Sequence, residues 1–478
     1  MERETILTCF GYAINKASLS EDEQTELRSQ LTMTPKVPGS FQKAVQSFPI
    51  YSESRSRFYL PRAWATSKYG QAKENWLPDG IDMPNNVTVN GSPFDYQEEI
   101  ISKCVESMKA GVNGLLCVPC GKGKTFMALN IAGRLRKRFL VIVDKEFLLE
   151  QWRGEITKAL PAARVGILRG PIQQINPDMY DVTLCMLQTL VRKSWPEHFF
   201  QGYGFAIFDE CHHLGASNFS QVLLKVQVPY MLGLSATPKR EDGMMQVFEN
   251  FLGQPIVWNK RREPDQSVEV RAIHFQSSDT EYSDPPLDWK GEVVMARLLT
   301  QILAFKPRND KICTVLGDLA KDSRRFVLVL SERKKHLETI EEYLDQHKLS
   351  YGYYIGGMKQ EDRDENAESK QILLATYAMA SDALNIKKLN TVILASPRKA
   401  IEQSTGRILR TRPEEREVNP VIVDIVDSHG TYQGQWRKRA AYYRQCKYTF
   451  VEEGRPVNIP AAEKAEPTAE ECDFRFDD

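Results

Sequence analysis

Residues 115–125 combine the side chains and the backbone freedom that hold a polyphosphate. An apolar run leads into Gly121 and Gly123, whose backbone N–H groups can turn toward successive phosphate oxygens. Lys124 can reach the β- and γ-phosphates, and the Thr125 hydroxyl is an oxygen ligand of the kind that Mg²⁺ takes beside them. A helix predicted to follow would point its positive N-terminus at the same anion. We therefore predict binding of a nucleoside triphosphate.

Two adjacent carboxylates, Asp209 and Glu210, end a second apolar run that begins at Phe205. Hydrolysis of a Mg²⁺–triphosphate needs one carboxylate near the metal and another that takes a proton from the attacking water. We assign Asp209 to the metal and Glu210 to the water. Alone, such a pair is more often a solvated strand end, but a phosphate loop lies about 85 residues upstream. The two features together favour a catalytic role.

These residues must be positioned by strands, because short apolar runs alternate with amphipathic helical stretches. The first set of predicted strands is Gly114–Pro119, Phe139–Asp144, Val182–Leu187, Phe205–Glu210 and Tyr230–Thr237. The second set is Arg325–Ser331, Tyr351–Gly357, Gln371–Thr376, Thr391–Ser396 and Val421–Val426. Nearly continuous apolar strands separated by helices indicate parallel sheets covered on both faces. We predict two α/β lobes in tandem.

The rest of the chain divides around these lobes. We predict an N-terminal α+β accessory domain (1–92), a first lobe that binds ATP (93–257), a hinge with the start of the second lobe (258–310), the second lobe (311–452) and an acidic, disordered tail (453–478). Val45–Tyr51 and Arg57–Ala65 predict a β-hairpin in the accessory domain, and Val268–Phe275 predicts the first strand of the second lobe. The acidic tail is a possible binding site for a protein partner.

Composition limits the class of protein. The 478 residues contain 63 Lys and Arg against 63 Asp and Glu, so binding of nucleic acid must come from a locally basic groove. No apolar run approaches the ~18 residues that cross a bilayer, and no signal peptide is evident, so we expect a soluble intracellular protein. The nine cysteines are scattered, which favours reduced thiols. Cys117 and Cys120 lack a second pair nearby and belong to the phosphate loop, which argues against zinc.

Four motifs occur in an order that resembles the helicase superfamily containing the DEAD-box and DEAH-box proteins. They are the phosphate loop Gly121-Lys-Gly-Lys-Thr, Asp209-Glu-Cys-His, Ser235-Ala-Thr237 and Gln403-Ser-Thr-Gly-Arg-Ile-Leu-Arg410. The resemblance covers roughly residues 94–450. It implies two RecA-like lobes and an enzyme that uses ATP and Mg²⁺ to move along or unwind nucleic acid.

Several segments look most like the XPB-type branch and its compact relatives in phages and large DNA viruses. They are Val118-Pro-Cys-Gly-Lys-Gly-Lys-Thr, Phe147-Leu-Leu-Glu-Gln-Trp152, Gly233-Leu-Ser-Ala-Thr-Pro and Ala375-Thr-Tyr-Ala-Met-Ala-Ser. Arg240-Glu-Asp242 is similar to the Arg-Glu-Asp element of that branch, although a charged helix start after Pro238 explains it equally well. This branch resemblance favours DNA over RNA as the substrate.

The resemblance also assigns roles residue by residue. The implied catalytic residues are Lys124, Asp209, Glu210, Gln403, Arg407 and Arg410, and the implied Mg²⁺ ligands are Thr125 and Asp209. The implied nucleotide contacts are Gln97, Cys120, Gly121, Lys122, Gly123, Lys124, Thr125 and Phe126. The residues implied to contact nucleic acid or to couple it to ATP are Gln188, Thr189, Ser235, Thr237, Arg240, Glu241, Asp242 and Thr376. Gln97 would read adenine, though a helical Gln is ordinarily a surface residue. Arg407 and Arg410 would reach the γ-phosphate as arginine fingers, though two arginines at this spacing ordinarily form a basic helix face.

One motif departs from the family pattern. Ala380-Ser-Asp-Ala-Leu-Asn-Ile386 stands where the family usually has Ser-Glu-Gly-Leu-Asp-Ile, so Ala383 replaces a glycine and Asn385 an aspartate. The first change adds a Cβ where backbone can approach a phosphate, and the second removes a charge. These changes put the strength of coupling between ATP and nucleic acid in doubt.

Rival interpretations remain beside a DNA translocase or helicase. They are an RNA helicase, the motor subunit of a restriction-type complex, and a non-enzymatic scaffold gated by ATP.

A further question concerns the N-terminal aromatics Phe48, Tyr51, Phe58, Tyr59 and Trp64, which are interleaved with Arg55, Arg57 and Arg62. They could grip nucleic acid, but packing against the first lobe is favoured because alternate strand residues must be buried.

Overall fold

The computed structural model describes residues 3–35, 46–119, 121–196, 198–210, 216–236, 244–259, 264–382, 386–406, 408–409, 411 and 415–453. The chain forms two compact units, Met1–Arg262 and Glu263–Asp478, and each is described by itself. Within the described ranges, no helix is long and apolar enough to cross a membrane.

Unit 1 begins with a five-stranded, largely antiparallel sheet in the order β5-β6-β2-β1-β7. The N-terminal elements of unit 1 are β1 (Thr5–Thr8), β2 (Gly11–Asn15), α1 (Glu21–Gln30), β3 (Thr32–Met33), β4 (Phe48–Pro49), β5 (Ser52–Glu53), β6 (Arg57–Leu60), α2 (Arg62–Tyr69) and β7 (Glu74–Asn75). The strands β3 and β4 pair with each other in a separate two-stranded antiparallel sheet. The predicted hairpin is wrong in its first strand, because β6 pairs with Ser52–Glu53 and not with Val45–Tyr51, whose Phe48–Pro49 pairs with β3 instead. The second strand, predicted to run to Ala65, ends at Leu60. Pro61 cannot donate to a sheet, and it starts α2 instead.

The rest of unit 1 is an eight-stranded sheet in the order β11-β10-β12-β9-β13-β14-β8-β15. Its elements are α3 (Asp95–Lys109), β8 (Gly114–Cys117), α4 (Lys124–Leu135), β9 (Phe139–Val143), α5 (Glu146–Ala159), β10 (Val165–Arg169), β11 (Ile172–Gln173), β12 (Val182–Met186), α6 (Leu187–Arg192), β13 (Phe205–Phe208), α7 (Ala216–Lys225), β14 (Tyr230–Ser235), α8 (Met245–Leu252) and β15 (Pro255–Trp258). All pairs are parallel except the edge pair of β10 and β11. The carboxyl ends of β8, β9, β12, β13 and β14 therefore share one edge, where open α/β sheets bind ligands.

Unit 2 is a seven-stranded parallel sheet in the order β18-β19-β17-β20-β21-β16-β22. Its elements are β16 (Glu269–Phe275), α9 (Thr280–Ser283), α10 (Met295–Ala304), α11 (Lys306–Ala320), β17 (Val327–Ser331), α12 (Lys334–Gln346), β18 (Tyr351–Tyr354), α13 (Gln360–Ser369), β19 (Ile372–Thr376), α14 (Tyr377–Asp382), β20 (Thr391–Leu394), α15 (Glu402–Gly406), β21 (Val421–Asp427), α16 (Gly430–Gln445) and β22 (Thr449–Glu453). The predicted α/β fold class is confirmed.

Both faces of each parallel sheet carry an apolar core. One core of unit 1 also takes in the N-terminal sheet, since Tyr12, Phe58 and Leu60 belong to the same buried cluster as Leu115 and Phe251. Phe48, Tyr51 and Trp64 pack on this cluster while partly buried. The N-terminal residues therefore stabilise the first lobe directly, as the packing interpretation expects.

Candidate nucleotide site of the first lobe

The phosphate loop leaves β8 at the carboxyl edge of the sheet. The N–H of Val118 donates to the Ser235 carbonyl over 3.2 Å, which ties the start of the loop to the end of β14. Gly121 and Gly123 have φ of +86° and +79°, in the left-handed region that favours glycine. A Cβ on Gly123 would also lie 2.6 Å from the side-chain nitrogen of Gln97. The loop thus needs glycine for its turn and for close approach.

Helix α4 opens directly onto this loop. Gly123 is its N-cap and has no side chain to occupy the helix N-terminus, and Lys124 is its first residue. The first N–H groups of such a helix bind anions through hydrogen bonds and the helix dipole. This arrangement is the phosphate cradle that the sequence predicts.

Gln97, on α3, braces the loop from outside. It is buried, and its Nε2 donates to the Lys122 carbonyl over 3.1 Å while its Oε1 accepts from the Phe94 N–H over 3.1 Å. The Tyr96 hydroxyl donates to the same Lys122 carbonyl over 3.2 Å. An amide can form further hydrogen bonds beyond these two, so its recognition of adenine stays a prediction. The bracing contact was not foreseen, because a sequence does not show which loop a helix faces.

Lys124 and Glu210 meet at the centre of the site. The Lys124 ammonium lies 3.3 Å from Glu210 Oε1, and the two side chains are only 11% and 20% exposed. The residue predicted to hold phosphates and the residue predicted to activate water are thus brought together although 86 positions separate them. The ion pair keeps the ammonium compensated, and a triphosphate would replace the carboxylate as its partner.

Asp209 is fixed by three hydrogen bonds of its backbone and carboxylate. Its N–H donates to the Ile142 carbonyl over 3.0 Å, Oδ1 accepts from the Glu210 N–H over 2.9 Å, and Oδ2 accepts from the Trp152 indole N–H over 2.7 Å. Burial first, and then the charge of Glu210, raise the pKa of Asp209 to about 6, against the opposing effects of Trp152 and Lys124. A cation bound at this carboxylate would offset both the cost of burying its charge and its repulsion by Glu210.

The donor set fits Mg²⁺. Carboxylate and hydroxyl oxygens are the ligands that this hard cation prefers, and two hydrogen bonds leave the Asp209 carboxylate with further lone pairs. Across the described ranges, no three or more His, Cys, Asp or Glu side chains cluster into a metal cage. Mg²⁺ in nucleotide sites is held mainly by phosphates and water with one or two protein ligands, so this donor set suits the metal, and the assignment of Asp209 and Thr125 as its ligands stays a prediction.

Glu210 has an unusual backbone conformation. Its φ is +43°, a region that a non-glycine residue rarely occupies and that costs on the order of 1–3 kcal/mol. Such strain persists only where the surrounding structure enforces it, and it concentrates at functional sites. The backbone conformation of Glu210 sets the direction in which its side chain projects after the end of β13.

Trp152 is the residue of this site that the sequence did not reveal. It lies on α5 with 1% exposure, and its indole N–H reaches Asp209 across 57 positions of sequence. A tryptophan at a helical core position is ordinarily a packing residue, and nothing in the sequence names its partner. The only available signal is its place in the segment Phe147–Trp152, which the family resemblance already singled out.

Three residues predicted to contact or couple to nucleic acid lie along the same sheet edge. Gln188 donates to the Asp144 carbonyl over 2.6 Å, and the Thr189 hydroxyl accepts from the Gly170 N–H over 2.9 Å. Ser235 is fully buried at the end of β14, in register with Cys117. Ser235 is therefore placed to link the loop to β14, whereas direct contact with nucleic acid is closed to it in this conformation.

Thr125 and Phe126 lie in the first turn of α4, and the remaining predicted residues fall in unit 2 or outside the described residues. Thr376 ends β19, and the backbone of Gln403 belongs to α15. Outside the described residues lie Cys120, Thr237, Arg240, Glu241, Asp242, Ala383, Asn385, Arg407, Arg410 and the acidic tail 454–478. Their assigned roles stay predictions.

Two family models match the chain. The model described as "Type III restriction enzyme, res subunit" matches residues 90–240, and the model described as "Helicase conserved C-terminal domain" matches residues 308–412. The first range holds the phosphate loop and the acidic pair, and the second holds the elements from β17 to α15.

Relatives in viruses and phages match most of the chain. A protein of Acanthamoeba polyphaga mimivirus, named "Putative ATP-dependent RNA helicase", is 32% identical over 94% of this chain and 86% of its own length. A protein of the same name in African swine fever virus is 27% identical, over 74% of this chain and 73% of that protein. A "Probable helicase" of Escherichia phage T5 is 27% identical, over 78% of each.

Solved structures also resemble the chain. T4 UvsW matches 95% of this chain and 99% of that chain at 18% identity with a TM-score of 0.38. The Pyrococcus furiosus Hef helicase domain matches 73% of this chain and 98% of that chain at 16% identity with a TM-score of 0.48. The strand order of its two parallel sheets defines the fold of this chain independently of these two matches.

Proposed function

The chain belongs to the superfamily 2 helicases, which are ATP-dependent enzymes, and on this premise we propose that it hydrolyses ATP to move along or unwind DNA. The observation that carries the proposal is the meeting of Lys124 with Glu210 beside the fixed Asp209 carboxylate. A phosphate-binding cation, an acid beside it and a carboxylate for a metal are the components that phosphoryl transfer to water requires. We place the activity in transcription, repair or replication.

Each residue then has one part in hydrolysis. The backbone around Gly121 and Gly123 binds the phosphates, and Lys124 neutralises charge on the β- and γ-phosphates. Glu210 orients the attacking water and accepts its proton. Mg²⁺, held by Thr125 and Asp209, would supply further charge neutralisation at the same oxygens. Arg407 and Arg410 would add positive charge to the transition state from the second lobe.

The choice of DNA rests on the resemblance of Phe147–Trp152 and the neighbouring motifs to the XPB-type branch. RNA is the second candidate, because the mimivirus relative is named as an RNA helicase. A restriction-type motor is the third, because the model matching residues 90–240 carries that description. The printed names concern those proteins, so a substrate panel must decide for this chain.

We expect ATP hydrolysis to be stimulated by DNA more than by RNA. The measurement is steady-state ATPase activity without nucleic acid and with single-stranded DNA, duplex DNA or RNA, together with a nuclease assay on the same duplex. Stimulation by RNA alone would replace DNA by RNA, and ATP-dependent cleavage would favour the restriction-type motor.

Two variants connect the activity to the site. Lys124→Ala should remove nearly all hydrolysis, because its ammonium is the charge placed beside Glu210 at the phosphate loop. Glu210→Gln should retain ATP binding and lose hydrolysis, since the amide cannot take the proton. Turnover of Lys124→Ala within threefold of the parent would refute the assignment, as would normal turnover of Glu210→Gln.

A further inference from the structure

A small hairpin in unit 2 projects between α9 and α10. Residues 286–294, here called the tryptophan hairpin, pair antiparallel through Leu287 and Val293. The Val294 N–H donates to the Pro286 carbonyl over 2.8 Å, and the Asp288 N–H donates to the Glu292 carbonyl over 2.8 Å. The hairpin lies within the segment 258–310, for which the sequence predicts a hinge and the start of the second lobe.

The turn of the hairpin is held in one conformation. The Asp288 carboxylate accepts from the N–H groups of Lys290 and Glu292 over 2.8 and 2.9 Å, and Gly291 takes a φ of +79°. At the base, the Gln301 amide on α10 donates to the carbonyls of Glu281 and Asp284. The Asp288 bonds therefore hold the turn itself, and the Gln301 bonds hold residues 281–284, which precede the hairpin, against α10.

The tip displays an aromatic ring to solvent. Trp289 is 86% exposed, far more than any other large apolar side chain in the described ranges, and Leu287 beside it is 53% exposed. The Lys290 ammonium lies 4.8 Å from the centre of the indole ring. A single exposed apolar side chain is ordinary at a protein surface, so exposure alone assigns no role. Here the indole lies on a turn held by hydrogen bonds and next to a lysine, a combination suited to a ligand with an aromatic face and a negative charge.

We propose that Trp289 stacks on an unpaired base of single-stranded nucleic acid, with Lys290 beside it to meet the adjoining phosphate. The proposal rests on the helicase activity proposed above, which requires an unpaired strand. Every base has a π-face, so an aromatic ring on a rigid turn binds single strands of any sequence. Oδ1 of Asp288 accepts from backbone N–H groups of the turn, and Lys290 is the cationic side chain beside the ring.

A protein partner suits this hairpin less well. A stable protein interface buries about 800 Å² on each side, which is more than a nine-residue turn presents, whereas a stacked base needs only the ring. Because the whole chain has equal numbers of acidic and basic residues, bulk charge gives it no attraction for a strand. Stacking supplies affinity that does not depend on net charge.

The test compares Trp289→Ala, Trp289→Phe and Leu287→Ala in the full chain. Equilibrium affinity is measured by fluorescence anisotropy for a single-stranded oligonucleotide, as DNA and as RNA, and for a blunt duplex, with basal ATPase and melting temperature as controls. Trp289→Ala should weaken single-strand binding by about 5- to 140-fold, from the roughly 1–3 kcal/mol of one stacked base. Duplex affinity and basal ATPase should not change, because the ring lies on an exposed tip.

The matched variants separate stacking from other contacts. Trp289→Phe keeps a π-face and should recover most of the lost affinity, whereas Leu287→Ala removes only an exposed aliphatic group and should bind as the parent does. Single-strand affinity of Trp289→Ala within twofold of the parent would overturn the proposal. So would equal losses in Trp289→Phe and Trp289→Ala, or in Leu287→Ala and Trp289→Ala. A parent chain that binds no nucleic acid would instead refute the proposed function.

Discussion

At the scale of single residues, the acidic pair shows how neighbouring groups determine the pKa of a carboxylate. Asp209 is buried, and burial together with the charge of Glu210 raises its pKa to about 6. The hydrogen bond from the Trp152 indole N–H opposes this shift, because it stabilises the ionised carboxylate. Protons and Mg²⁺ therefore compete for the same oxygens at pH values around neutrality. The indole N–H favours the metal in that competition.

We predict that Trp152→Phe weakens Mg²⁺-dependent nucleotide binding most strongly at low pH. The ring keeps its packing, but loss of a hydrogen bond to a charged group, worth about 1.5–3 kcal/mol, raises the pKa of Asp209 further. Protonation of Asp209 then persists to higher pH, so the acid limb of the pH profile moves upward by about one to two units. The measurement is binding of a fluorescent ATP analogue over Mg²⁺ concentration at several pH values.

Trp195→Phe is the matched control, because the Trp195 indole donates to the Leu190 backbone carbonyl and not to a carboxylate. It should leave the Mg²⁺ and pH dependence of binding unchanged. Identical pH and Mg²⁺ dependence of binding for the parent and Trp152→Phe would show that the hydrogen bond from Trp152 does not set the pKa of Asp209.

At the scale of elements, the phosphate loop depends on two glycines for different reasons. We predict that Gly121→Ala costs only left-handed backbone strain, about 1 kcal/mol, because nothing lies within 4 Å of the added Cβ. Gly123→Ala adds a clash with Gln97, so it should lower the melting temperature and the ATP affinity more. Thermal unfolding and ATP binding of both variants give the comparison.

A double mutant tests the clash itself. Gln97→Ala removes the atom that the new Cβ meets, so it should cost less stability in the Gly123→Ala background than in the parent. Additive losses would mean that Gln97 does not contact the loop in this way.

The elements also show what a sequence can and cannot reveal. All ten predicted lobe strands are present, as is β16, because buried parallel strands are nearly continuous apolar runs. The strands β10 and β22 were not predicted, since their side chains alternate or lie exposed. The phosphate loop and the acidic pair could be located from local patterns. The bonds from Trp152 to Asp209 and from Gln97 to Lys122 join distant segments, so only the fold reveals them.

At the scale of the whole molecule, the N-terminal residues and the first lobe share one core. Arg62 donates to the Pro229 carbonyl of the lobe over 2.9 Å, and a Cβ on Gly80 would lie 2.2 Å from the Gly204 backbone. Phe58 and Leu60 are fully buried in the cluster that includes Phe251. The first lobe is thus completed by residues that precede it.

We predict that a chain beginning near Asn86 is insoluble or melts at lower temperature, because truncation exposes this shared core. Arg55→Ala and Arg57→Ala should leave nucleic-acid affinity unchanged at both low and physiological salt, while Arg62→Ala should lower stability. Light scattering, thermal unfolding and binding assays measure these effects. A soluble truncated chain with normal basal ATPase but lost stimulation would instead support the gripping interpretation.

The strand order of unit 2 has a consequence for how the chain is made. Its earliest strand, β16, lies between β21 and β22, the two strands that are synthesised last. Ribosomes add about 5–20 residues per second, so β16 waits on the order of 7–30 seconds for its first partner. Unit 1 contains a similar case, since the neighbours of its early strand β8 are β14 and β15, the last two strands of that unit. During these intervals β8 and β16 are unpaired apolar strands, so each nascent sheet exposes a strand edge that a chaperone would cover until its last strands are made.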